Sequence, residues 1–214
     1  MYLFMFLLLP AILTAWCFYK REPRLIPVIF TGLISAVLVC GFRAFFLYSH
    51  RIIPFSFGMN MWYLLLRQTL LPIVVLYGVF FLISKDEIAY KIEALFPLLI
   101  SFYMLYLPYT ILSGSEKIFT SFPLFIKPTL FTVMIFSIGL AAKHIEKTIR
   151  EEKYVFSAVW ILICIISITF PSVLEAMYIM NMSYFLILVL SGIYSLTLPL
   201  LFIFSRLGKA IIKG

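Results

Sequence analysis

Charge is what this sequence has least of. Charged residues make up 12% of its 214 positions, against roughly a quarter in a soluble domain. Acid is the scarcer sign, with 9 Asp and Glu against 17 Lys and Arg, and Asp86 is the lone aspartate. Histidine is limited to His50 and His144, and cysteine to Cys17, Cys40 and Cys164. Each shortage excludes a chemistry. A single Asp cannot form the aspartate pair of an intramembrane aspartyl protease. Two histidines at opposite edges of the apolar segments supply neither bis-imidazole haem ligation nor a Ser–His pair at one depth. The last apolar stretch, Ser183–Ser205, has no lysine for a retinal Schiff base. The cysteines all fall within apolar segments, without a CxxC or Cys/His cluster, and read as small buried hydrophobes. The sequence therefore implies no cofactor and no metal, and it disfavours an enzyme, including one acting on a lipid headgroup.

What fills the space is apolar. Hydrophobic residues make up 64% of the chain, and the mean hydropathy is +1.12. Stretches near the ~20 residues needed to cross a bilayer as a helix recur along it. Runs such as Leu70–Ile83 and Val155–Phe170 do not alternate apolar with polar, so they are helices and not barrel strands. The fold class expected is an all-α polytopic transmembrane helix bundle, one integral membrane domain over residues 1–214.

One long hydrophilic run, Lys143–Lys153, fixes the topology. It cannot lie in hydrocarbon, and four of its eleven residues are Lys or Arg, so the positive-inside bias places it in the cytoplasm. Apolar stretches are expected to span at 1–19, 25–48, 61–83, 94–113, 122–142, 154–174 and 183–205. That gives seven helices with the N-terminus outside and the C-terminus cytoplasmic, or six if the stretch carrying Lys127 fails to span. Residues 1–19 have no leading positive charge and read as an uncleaved first helix. The proposed cytoplasmic stretches hold twelve of the seventeen basic residues, leaving Arg43, Arg51, Arg67, Lys117 and Lys127 on the outer half. The protein is expected in the cell membrane as a multi-pass protein. Its basic residues flank apolar segments, which fits contact with lipid headgroups and not with nucleic acid. The i,i+4 pairs Glu146/Arg150 and Lys147/Glu151 favour a helical extension of the fifth span into the run.

Three features bear on function. Arg43 and Arg67 each lie roughly 8–9 Å inside the outer end of a span, at ~1.5 Å per residue. They either snorkel to the interface or face the bundle interior, pairing with Glu175 or accepting an anion. Prolines at 72, 97, 108, 171 and 199 fall inside or near the ends of four spans, where each interior proline frees a backbone carbonyl. Small residues recur every four positions at Gly32/Ala36/Cys40, Ser137/Ala141 and Ser191/Ser195, a pattern that lets helices approach closely. Met59, Met61, Met177, Met180 and Met182 lie on the outer side, but no Cys or His assists the Met-x-Met pairs, and a copper site is not expected.

The expected function is a small membrane transport protein, or the membrane subunit of a transporter. Arg43, Arg67 and Glu175 would line an outer-facing cavity for an anionic small solute, an amphiphile or a lipid headgroup. The rival is a non-catalytic membrane subunit that docks other membrane or cytoplasmic subunits through Lys143–Lys153.

Overall fold

The computed structural model describes residues 25–46, 56–83, 88–112 and 121–211. All of its regular structure is helical. The helices are α1 (Ile26–Phe46), α2 (Phe57–Leu65), α3 (Leu71–Ile83), α4 (Ile88–Leu112), α5 (Lys127–Arg150), α6 (Tyr154–Ile179) and α7 (Tyr184–Ile211). A π-helical turn, Leu66–Leu70, joins α2 to α3 without a break, and a second, Phe122–Ile126, precedes α5. Among the described residues six helices are long and apolar enough to cross a membrane, with α2, the π turn and α3 counting as one. The helix expected over residues 1–19 lies outside the described residues.

Several boundaries differ from the sequence expectation, each for a local reason. The third span begins at Phe57, not Met61, because Ser56 caps it: the Ser56 hydroxyl accepts from the Met59 N–H at 3.5 Å. The fourth begins at Ile88, six residues early, since neither Gly nor Pro interrupts the chain before Pro97. It then runs through Pro97 and Pro108 unbroken. The sixth continues past Pro171 and Glu175 to Ile179. The expected helical extension of the fifth span is present: α5 reaches Arg150, with Glu146–Arg150 at 2.5 Å and Lys147–Glu151 at 3.4 Å.

The chain divides into two compact units at Phe125/Ile126. In the first, α1 packs chiefly on α4. Gly32 sets their separation, because a Cβ there would lie 2.8 Å from the Leu98 carbonyl oxygen and 2.9 Å from the Ser101 Cβ. Gly32, Ala36 and Cys40 are all buried, so the small-residue face of α1 meets protein. In the second unit α5 packs along α6 and, less extensively, α7. Ser137 and Ala141 are fully buried on α5, whereas Ser191 and Ser195 on α7 are only half-buried. The imidazole of His144 stacks on Trp160, with centroids 4.4 Å apart and rings 7° from parallel.

Both hairpin turns of the second unit close in the same way. Glu152 and Asn181 have φ of 57° and 53°. The N–H of Lys153 bonds the Thr148 carbonyl at 2.8 Å, and that of Met182 bonds the Met177 carbonyl at 3.0 Å. These are left-handed helix caps that satisfy the last carbonyls of α5 and α6.

Candidate functional site

The site grows out of Pro72. A proline has no N–H for the carbonyl four residues back and crowds it sterically, which disfavours a regular α-helical turn before Pro72. It widens into the π turn, in which the Leu71 N–H bonds Leu66 O. Arg67 O thereby loses Leu71 as its α-helical donor, and the next N–H along the chain would belong to Pro72. Two hydroxyls one turn apart on α4 compensate. Tyr106 donates to Arg67 O at 3.1 Å, and Tyr103 reaches Gln68 O at 3.4 Å. The same remedy serves α6. Pro171 has no N–H for Ser167 O, and the Tyr194 hydroxyl of α7 donates to that oxygen at 2.9 Å.

The tyrosines also engage Arg43 and Arg67, the arginines of the first unit that lie among the described residues. Arg43 Nη1 donates to the Tyr106 hydroxyl at 2.8 Å, with its guanidinium 5.7 Å from the ring centroid. Arg67 Nη1 donates to the hydroxyl of Tyr63, one turn back, at 2.6 Å. Arg67 is only 9% exposed, so its side chain is enclosed by protein. Its Nε and Nη2 are buried and have no hydrogen-bond partner among the described residues. Acid is scarce in the sequence of these helices: neither Asp nor Glu occurs from Leu25 to Ile83, and the one acid of α4, Glu93, lies ten residues before Tyr103. Asn60, buried on α2 two turns before Arg67, likewise has a side-chain amide nitrogen without a partner among the described residues.

Nε and Nη2 form one edge of the guanidinium plane, and their N–H bonds run parallel. That edge is the one that accepts two oxygens of a single acid side by side. Arg67 thus presents a complete bidentate fork in a setting where an uncompensated charge costs several kcal/mol.

Of the three residues the sequence singled out, the fold joins Arg43 and Arg67 through Tyr106. Glu175 belongs to the second unit, where its carboxylate accepts from Lys127 Nζ at 2.7 Å, with side-chain exposures of 12% and 8%. Lys127 opens α5 directly after the second π turn and just before Pro128. Sequence reasoning missed Tyr63, Tyr103 and Tyr106, and it missed Lys127 as the partner of Glu175. Pro72 was the available signal for the tyrosines, because a freed carbonyl in an apolar setting demands a donor. No protein-family model matches the chain, and neither a curated protein nor a solved structure matches it.

Proposed function

We propose that this protein is a small membrane transport protein, or the membrane subunit of a transporter, that binds an anionic solute at Arg67 with Arg43 beside it. The observation that carries this reading is the enclosed guanidinium of Arg67, with two nitrogens unpartnered among the described residues, in helices whose one acid, Glu93, lies ten residues before Tyr103. Burying a cation that way destabilises the empty protein, and an anion arriving at the fork recovers the loss. The π turn and proline at the same place supply an irregular helix, the kind of element from which membrane solute sites are built. In this reading seven helices cross the cell membrane with the N-terminus outside, Arg43 and Arg67 lie toward the outer face, and Lys143–Lys153 is cytoplasmic. Glu175, held by Lys127, acts as part of a structural ion pair within the second unit.

Transport is tested with the full chain reconstituted in liposomes on a solid-supported membrane, given concentration jumps of benzoate, phosphate or chloride. Wild type should give a saturable current with at least one anion. Arg67→Gln should abolish it, and Lys147→Gln, on the exposed run, should not. Equal currents in wild type and Arg67→Gln, or no current with any of the three, would contradict the reading.

A further inference from the structure

Resting on that reading, we infer that the anion recognised at Arg67 is a carboxylate, R–COO⁻, gripped side-on by Nε and Nη2 of this one guanidinium. The geometry of the guanidinium points there. The Nε/Nη2 edge offers two parallel N–H bonds, which match the two coplanar oxygens of a carboxylate. Nη1 is already bonded to Tyr63, so the Nε/Nη2 edge is the one on which neither nitrogen has a partner among the described residues. Arg43 spends Nη1 on Tyr106 and reaches Arg67 through that hydroxyl and the Arg67 carbonyl.

A phosphate dianion fits less well. It brings a third oxygen to an edge that offers two parallel donors, on a helix whose nearby residues Leu64 and Leu65 are apolar and buried. An oxyanion left without donors there costs more than the added attraction returns. Apolar neighbours instead suit a hydrocarbon or aromatic R group. Such a carboxylate comes either from water, as a small organic acid, or from the bilayer, as a fatty acid. The fork chemistry is the same for both.

The test uses the full chain in lipid nanodiscs, with the thermal unfolding midpoint and calorimetric binding as readouts. The probes are benzoate for the water-soluble source, laurate for the membrane source, and inorganic phosphate and chloride as competing anions. Benzoate or laurate should raise the midpoint saturably, and whichever acts identifies the source. Arg67→Gln should remove the effect. Arg67→Lys keeps the charge without the fork and should weaken binding roughly ten- to a hundred-fold, the loss expected for one charge-assisted hydrogen bond. Because Arg67→Lys preserves the buried cation, it remains informative if Arg67→Gln does not fold. Carboxylate affinity unchanged in Arg67→Lys would overturn the side-on grip. Stabilisation by phosphate or chloride alone, lost in Arg67→Gln, would overturn the carboxylate and leave the anion site standing. No Arg67-dependent effect from any of the four would overturn both.

Discussion

At the scale of single residues, two contacts decide how close the helices of the first unit come. Gly32 is one. A methyl group there meets the Leu98 carbonyl oxygen, the Ser101 Cβ and, at 3.2 Å, the Phe102 nitrogen. Two of the three are backbone atoms that cannot step aside alone. Gly32→Ala should therefore cost about 1–3 kcal/mol, while Gly78→Ala, with open space around its Cα, should be neutral or mildly stabilising. Equilibrium unfolding in mixed micelles measures both. The tyrosine hydroxyls are the second kind of contact. Tyr106 both accepts from Arg43 and donates to Arg67 O, so Tyr106→Phe strands two partners at once. It should cost more than Tyr103→Phe, whose bond to Gln68 O is long at 3.4 Å, and the difference is expected to be about 1–2 kcal/mol. Arg43, Arg67 and the small-residue face of α1 were visible in the sequence because rare residue types in apolar runs stand out. The tyrosines were not. With 13 Tyr in the chain, nothing local marks those that serve another helix's carbonyls.

At the scale of elements, the recurring device is a proline in one helix answered by a tyrosine from a neighbour. The sequence showed where the prolines fall and that each frees a carbonyl, but it suggested that the helices end or break there. They do not, and at Pro72 and Pro171 a tyrosine hydroxyl supplies a donor across the helix pair. For α6 this can be isolated by a double-mutant cycle. Tyr194→Phe alone should destabilise by about 1–3 kcal/mol, since it leaves Ser167 O unpaired. In a Pro171→Ala background the new backbone N–H takes that carbonyl, and the cost of losing the hydroxyl should shrink by about 1 kcal/mol or more. Additive costs would show that the hydroxyl does not stand in for the proline's lost bond. The hairpin turns are a second element. Asn181 suits its left-handed cap, and its place in a turn was legible in the sequence. Glu152 occupies the same conformation in the middle of a charge run and was not. Glu152→Gly should stabilise the α5–α6 turn by about 1 kcal/mol, whereas Asn181→Gly should change little. The turn should also feel pH. The hydrogen bond from Lys153, aided by Lys147, holds the Glu151 carboxyl below its ordinary value of 4.5. A depressed value means a contribution that is present above pH 4.5 and lost as pH falls through the lower folded value. Amide exchange at Glu152 and Lys153, corrected for intrinsic rate, should accelerate only below that point.

At the scale of the whole molecule, the sequence made the helical membrane class plain, because no soluble fold tolerates so little charge. The side-to-side orientation rests on basic residues counted in loops. Single-cysteine labelling tests it, and the structure chooses the position. Thr148 is buried and its hydroxyl bonds His144 O at 2.8 Å, so an inner probe belongs at exposed Arg150 instead. In a cysteine-free background, Arg150→Cys should resist an impermeant reagent added outside, and Ser115→Cys should react. The site was only half legible. The two arginines could be named, but the reason Arg67 lies inside is the widened turn before Pro72, which depends on hydroxyls contributed by α4. The most direct measurement of the central claim is an experimental density map of the protein in lipid at a resolution that shows side chains, inspected at the Nε/Nη2 edge of Arg67. The account predicts non-protein density there, with atoms about 2.7–2.9 Å from both nitrogens. A carboxylate of the chain itself seated on that edge, or an Arg67 side chain turned out to the headgroups, would contradict it.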